Sequence, residues 1–324
     1  MQSESRRAFL RGRRPATTPW EAFCNRLRRL AAGTLTVLDD EPDSQAARLV
    51  VQQPTDAHHA RLLCAEYGVC MALEGVPDAM SHDGPVLWLS PGRGVSAHQL
   101  LEPGGSRWFV QPGCLLGELE AVGFTCFAEL PAHMTVAAWL ADRTSCNWPT
   151  GHTAASGLAH ATALLADGTS VSLGAFGTDN RKALDSLRLQ RLIPALFSLS
   201  MGEDARTCAQ WRAWPSRYRL DALQPAAGNT LNLSHLLLGH GGDLAWVEWV
   251  VLDQALADAA AGQQLPLELP DTGVESHYSG GALPQGGSGP CEAVNVARAA
   301  QDVDVAIKAL FDPDGLFPHP GQTL

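Results

Sequence analysis

The chain has 324 residues, 45% of them apolar and 18% charged, which is enough to bury a sizeable core and excludes a disordered or fibrous protein. Its net charge of -11 is uneven: residues 1–30 hold eight Arg against Glu4 and Glu21, so that segment is about +6 and the remainder about -17. An acidic body excludes nucleic acid as a partner, because phosphate binding depends on a basic surface.

No apolar run approaches the ~18 residues of a membrane span, so the chain is not expected to be transmembrane. The N-terminal SRRAFLR, Ser5 to Arg11, has the look of a twin-arginine export signal. The residues after it are basic and amphipathic rather than an apolar core with a cleavage site, so export is not expected. The expected location is the cytoplasm, with the basic arm free to touch a partner, an acidic face or the inner membrane surface. Eight cysteines (Cys24, Cys64, Cys70, Cys114, Cys126, Cys146, Cys208 and Cys291) include no C-x-x-C. That spacing supports neither a zinc site nor a disulfide framework, and it reads as free, mostly buried thiols.

In chain order, PWEAFCNRLRRLAA (19–32) places apolar side chains at helical spacing. RLVVQQP, from Arg48, is a short strand closed by Pro54, and Thr55 is the expected N-cap of a helix ending at Gly68. VCMAL (69–73), VLWLSP (86–91) and RWFVQPG (107–113) read as further strands, with a turn-rich loop before the second of them. CLLGELEAVG is a helix stopped at Gly123. LAHATALLADGTSVSLG (158–174) is a hairpin turning at Ala166-Asp167-Gly168. Residues 185–201 are helical, and 230–253 combine a short helix, a Gly-rich turn and a long apolar strand. Residues 262–290 are rich in Gly and Pro and read as a linker, and a last amphipathic helix closes at Asp312-Pro313. The class is α+β, with no internal repeat.

Several of these pieces, in this order, resemble the FAD-binding domain of the PCMH-type, or vanillyl-alcohol oxidase, superfamily, most closely its glycolate and D-lactate dehydrogenase branch. The likeness is carried by QQPTDAHHARLLCAEYGV, WFVQPGCLLGELEAVGF, TALLADGTSVSLG, LLLGHGGDLAWVEWVVL and the closing IKALFDPDGLFPHPG. It spans roughly residues 45–255 and 295–321. The resemblance implies two α+β subdomains that hold FAD between them, gripping its pyrophosphate with two loops of main-chain N–H groups. Glycine permits that close approach best.

The family's first loop, usually R-G-G-G, falls on Leu73-Glu74-Gly75-Val76-Pro77, and its second, usually T-I-G-G-N, on Thr135-Val136-Ala137-Ala138-Trp139. The first loses its arginine, gains an acidic residue and at Pro77 lacks a donor. The second has alanines for glycines but keeps its amides. The family's Tyr-Gly pair matches Gly151-His152, its acidic residue before the hairpin matches Ser156, and Val247 is also implied at the cofactor. Related enzymes carry a substrate cap of well over a hundred residues. Here the corresponding interval runs only from Gln254 to Glu292, contains no His-x-His pair and has His277 as its lone histidine. The cap is therefore largely absent, and no catalytic or metal-ligating residue carries over. The resulting partition is a basic arm and helix over 1–44, an FAD-binding domain over 45–255, a reduced cap or linker over 256–294, and a C-terminal helix and tail over 295–324.

The bland readings stand beside these. His152 is either a flavin-side donor or base, or a hydrogen-bonded loop histidine. His58 and His59 read as solvated, and His235 and His240, five apart, are a poor ligand pair. Trp139 and Trp148 could fill space left by missing glycines. WRAWPSRYRLD (211–221) reads either as an anion site or as packing with cation–π contacts. Two functions follow. One is an FAD-dependent dehydrogenase, or its FAD subunit, acting on a small 2-hydroxy acid. The other is a non-catalytic relative with decayed loops, kept as an interaction or assembly subunit of a dehydrogenase complex.

Overall fold

The structure, a computed structural model, describes residues 18–38, 45–76, 84–176, 186–262 and 290–320. The arginine-rich arm, Pro77, His277 and most of the 262–290 linker lie outside the described residues.

Helix α1 (Pro19–Leu30) starts at a capping box: Oγ1 of Thr18 accepts from the Glu21 amide at 3.1 Å, and Glu21 accepts from the Thr18 amide at 3.0 Å. Its buried stripe is Phe23, Cys24 and Leu27. Strand β1 (Thr34–Leu38) follows, then β2 (Ala46–Val51), α2 (Pro54–Tyr67), β3 (Cys70–Leu73) and β4 (Val86–Pro91). The first sheet has the order β1-β2-β4-β3, with β2, β4 and β3 parallel and β1 antiparallel at the edge. One face of the parallel strands is buried, carrying Ala47, Leu49, Val51, Met71, Leu87 and Leu89, while the other holds exposed Arg48 and half-buried Val50, Cys70 and Trp88.

Thr55 does not cap α2. Pro54 takes the first helical position, where its missing N–H is no loss, so Gln53 becomes the N-cap. Asp56 then reaches back to accept from the amides of Gln52 at 2.9 Å, Gln53 at 3.0 Å and, from the α1–β1 connection, Ala32 at 2.7 Å. One buried carboxylate thus ties α1, β2 and α2 together.

The second sheet is built from β5 (His98–Leu100), β6 (Arg107–Val110), β7 (Leu158–Leu164), β8 (Ser170–Gly174) and β9 (Trp246–Asp253), in the order β5-β6-β9-β7-β8, all antiparallel. The expected hairpin is β7–β8. Its turn is closed by the Leu165 amide on the Thr169 carbonyl at 3.0 Å, and Asp167 accepts from the Thr169 amide at 2.8 Å. Two short helices, α3 (Leu116–Ala121) and α4 (Val136–Ala141), cross from β6 to β7. Helices α5 (Leu187–Ser200), α6 (Glu203–Ala209) and α7 (Gln254–Gly262) precede the long α8 (Pro290–Phe311).

Each sheet has its own core. Phe23, Leu49, Leu63, Met71, Leu87 and Leu89 fill the first, and Phe124, Phe127, Trp139, Leu158, Val250 and Phe311 fill the second. Helix α4 stands between them. Ala137 and Ala141 belong to the first core, whereas Val136, Trp139 and Leu140 belong to the second. The tail after α8 also crosses over, so that Leu316 and Phe317 join the first core and the Met71 amide donates to the Leu316 carbonyl at 2.9 Å.

Candidate functional site

The seam between the two cores is where the two phosphate loops of the resemblance meet. A Cβ built on Gly75 would lie 3.7 Å from the Cβ of Ala138, and one on Gly242 would lie 2.8 Å from the Cβ of Leu73 and 3.6 Å from Cγ2 of Val76. Val247 is buried on β9 opposite Ala163. The structure brings Gly75 beside Ala138, Val76 beside Gly242, and Ala137 and Val247 to one cavity, while Pro77 lies outside the described residues.

Whether that place fits a pyrophosphate depends on free donors and on room. Thr135 is the N-cap of α4, and its Oγ1 accepts from the Ala138 amide at 3.2 Å. The Val136 amide donates to the Cys114 carbonyl at 2.9 Å, Ala137 to Pro112 at 3.0 Å and Trp139 to Thr135 at 2.9 Å. Every amide from Val136 to Trp139 is satisfied inside the protein. In the first loop the Glu74 amide donates to Leu89 at 2.9 Å, and its carboxylate turns away to Arg48 at 2.5 Å.

Among the described residues the seam holds a cavity of about 10 Å³ lined by Leu73, Ala137, His240, Gly242, Val247 and Phe317, among others. That holds about one water, whereas a pocket for a ligand of even drug size takes some 300–1,000 Å³. As they stand, the amides of the second loop are occupied and this cavity has room for about one water, while the first loop beyond Val76 lies outside the described residues.

The cations beside the seam are also engaged. Lys308 donates to the Asp243 carbonyl and to Asp312, each at 2.6 Å, and Arg217 pairs with Asp243 at 2.7 Å. Burial raises the Asp243 carboxyl above its usual range, opposed by Arg217 and Lys308. His240 sits fully buried above the cavity with no protein partner on either ring nitrogen. Burial, then the Arg217 and Lys308 charges, push its pKa down to about 3, so the imidazole is neutral.

The remaining predicted residues are held elsewhere. The Gly151 amide donates to Asp221 at 2.8 Å, and its carbonyl accepts from Ala226 at 2.9 Å. Half-buried His152 donates its amide to Pro149 at 3.0 Å. Oγ of Ser156 donates to the Thr153 carbonyl at 2.7 Å and accepts from the Leu158 amide at 3.2 Å, closing the turn into β7. Trp139 packs edge-on against Phe127, with ring centroids 5.1 Å apart, in the second core rather than in the seam.

His235 is no ligand either. Thr153 Oγ1 lies 2.9 Å from one ring nitrogen and the Leu158 carbonyl 2.8 Å from the other, and burial lowers its pKa to about 4. The 211–221 segment resolves as packing without a free anion site. Arg219, fully buried, forks onto Asp221 at 2.9 and 2.7 Å and reaches the Trp148 carbonyl at 2.8 Å. Asp221 and Arg219 therefore fix the Asn147–His152 run, a role visible only once the two stretches are brought together. Burial pushes the thiols of Cys70, Cys126, Cys146 and Cys208 up to about 12, which makes them poor nucleophiles at neutral pH.

No protein-family profile matches this chain, and no curated protein matches it. Among solved structures it is similar to BBE-like 1 of Physcomitrella patens at 10% identity and TM-score 0.41, covering 71% of this chain and 44% of that one. It is similar to berberine bridge enzyme from Eschscholzia californica at 10% identity and TM-score 0.40, over 71% of this chain and 42% of that one. It is also similar to 6-hydroxy-D-nicotine oxidase from Arthrobacter nicotinovorans at 13% identity and TM-score 0.40, over 69% and 42%. This chain spans less than half the length of each.

Proposed function

We propose that the chain is a non-catalytic relative of the PCMH-type flavoproteins, with residues 45–255 as its scaffold, that serves as an interaction or assembly subunit of a dehydrogenase. The observation that carries this reading is the set of amides from Val136 to Trp139, each already bonded within the protein beside a cavity for one water. A pyrophosphate needs such amides free, because anion binding at a loop or helix N-terminus works through unpaired N–H groups. The visible spectrum of the purified protein tests it. A colourless chain that takes up no flavin from excess FAD is expected; flavin bands near one equivalent per chain would overturn the proposal.

A second reading, an FAD-binding oxidoreductase acting on a small 2-hydroxy acid, is favoured by one feature of the seam. Gly75 lies beside Ala138 there and Gly242 beside Leu73 and Val76, and among the described residues no hydrogen bond joins residues 74–76 to residues 135–139. A small movement of Gly75 and Val76 would part the two loops without breaking a polar contact between them. Retention of FAD through gel filtration, with reduction of its band by glycolate or D-lactate, would establish this reading in place of the first.

A further inference from the structure

His98, Cys114 and Glu118 come together beside the β5 edge of the second sheet. Each offers one ligand atom, and the three atoms lie within 4.8 Å of one another. We propose that these three side chains form a binding site for a single divalent zinc-type cation, with water in the remaining position.

The donor set is the first argument. An imidazole, a thiolate and a carboxylate are the three ligand types that zinc takes from proteins. Geometry is the second. Sγ of Cys114 lies 3.5 Å from Nδ1 of His98. A tetrahedral cation bonded to nitrogen at about 2.0–2.1 Å and to sulfur at about 2.3 Å holds those two atoms about 3.5 Å apart.

Rigidity is the third. The Gln111 amide donates to the Ala97 carbonyl at 2.9 Å and the Gly113 amide to Val95 at 2.8 Å, which locks the turn carrying Cys114 to the segment carrying His98. One oxygen of Glu118 accepts from the Leu115 amide at 2.9 Å, fixing the carboxylate four residues beyond the cysteine. Its other oxygen is held by Arg93 at 2.6 Å, whose side chain is 70% exposed and free to swing into solvent when a cation takes its place.

On binding, the Cys114 S–H bond breaks, its proton leaves to solvent and a metal–sulfur bond forms, with no change in oxidation state. The site also touches the seam through the main chain, since the Cys114 carbonyl accepts from the Val136 amide. A cation here would brace the turn that keeps that amide occupied. The inference does not depend on whether FAD binds.

The full chain, stripped with chelator, is titrated with Co²⁺ and separately with Zn²⁺. Expected are one equivalent bound per chain, thiolate-to-cobalt absorption, and a rise in melting temperature with Zn²⁺ that chelator reverses. Cys114→Ser removes the charge-transfer band, and His98→Ala weakens binding by at least ~100-fold, the upper end of what loss of an outer-shell partner costs. His98 is only partly buried, so His98→Ala decides the matter if Cys114→Ser does not fold. Absence of the band in the unaltered chain, or a band unchanged in either variant, would overturn the site and leave a plain thiol–imidazole hydrogen bond.

Discussion

Lys308, on the last turn of α8, donates to the main-chain carbonyl of Asp243 at 2.6 Å while pairing with Asp312 at 2.6 Å. The C-terminal helix thereby bolts down the Gly-rich turn that borders the seam. Both side chains are buried, 3% and 0% exposed, so neither charge has water to fall back on. Lys308→Met should cost about 3–5 kcal/mol, because it strands the Asp312 charge. Urea unfolding of the two proteins measures it, and a loss within ~0.5 kcal/mol would show that the bolt is not structural.

The two glycines of the seam separate backbone from packing. Gly75 has φ +88° and room for a methyl group, so Gly75→Ala should cost about 1–2 kcal/mol from the backbone alone. Gly242 has φ +76°, and a methyl group there would meet the Cβ of Leu73 at 2.8 Å, so Gly242→Ala should cost about 2–4 kcal/mol, strain plus overpacking. Matched denaturation curves should rank Gly242→Ala as the more damaging. The reverse order would contradict the closed seam.

Asp56 accepts three amides, one from Ala32 after α1 and two from Gln52 and Gln53 between β2 and α2. Asp56→Ala leaves those donors without a partner and should destabilise the chain by about 3 kcal/mol or more, whereas Asp56→Asn, which keeps one acceptor, should lose roughly half as much. Hydrogen exchange at Ala32, Gln52 and Gln53 provides a site-resolved check: protection should collapse in the alanine variant.

The buried histidines set an acid limit. His235 and His240 have pKa values pushed down to about 4 and about 3, against ~6.5 in an unfolded chain. The folded state therefore binds fewer protons. Stability is complete above pH ~6.5 and falls as pH drops towards the folded values, by up to ~1.4 kcal/mol per pH unit for each histidine. The raised carboxyls of Asp243 and Asp304 act in the opposite sense, since they take up a proton more readily when folded. A pH series of urea midpoints should thus fall between about pH 6 and pH 4.5, and His240→Leu should flatten that fall. An unchanged slope in the variant would mean that His240 is protonated in the folded protein.

Much of the architecture is legible in the sequence because local chemistry writes it there. The Ala166-Asp167-Gly168 turn, the helix from Pro19 and the stop at Asp312-Pro313 all fall where their residues imply. Helix α2 starts earlier than Thr55 implies because Pro54 takes the first helical position and Asp56 caps from inside the helix. Strand β5 is only three residues, His98–Leu100, at a sheet edge, too short to leave a period in the sequence. The state of the second loop was illegible for a deeper reason. The sequence of Thr135–Trp139 shows that amides exist, yet the acceptors of Val136 and Ala137, the carbonyls of Cys114 and Pro112, lie more than twenty residues back. The same holds for Arg219 and Asp221, whose partners are in the Cys146–Gly151 run.

The bond from the Met71 amide to the Leu316 carbonyl has a consequence for biosynthesis. Strand β3 is the open edge of the first sheet, and an apolar edge invites pairing with other chains. Its cover is supplied from the far end of the protein. A ribosome at ordinary elongation rates takes on the order of tens of seconds to travel from Met71 to Leu316. For that interval strand β3 of the growing chain lacks this cover.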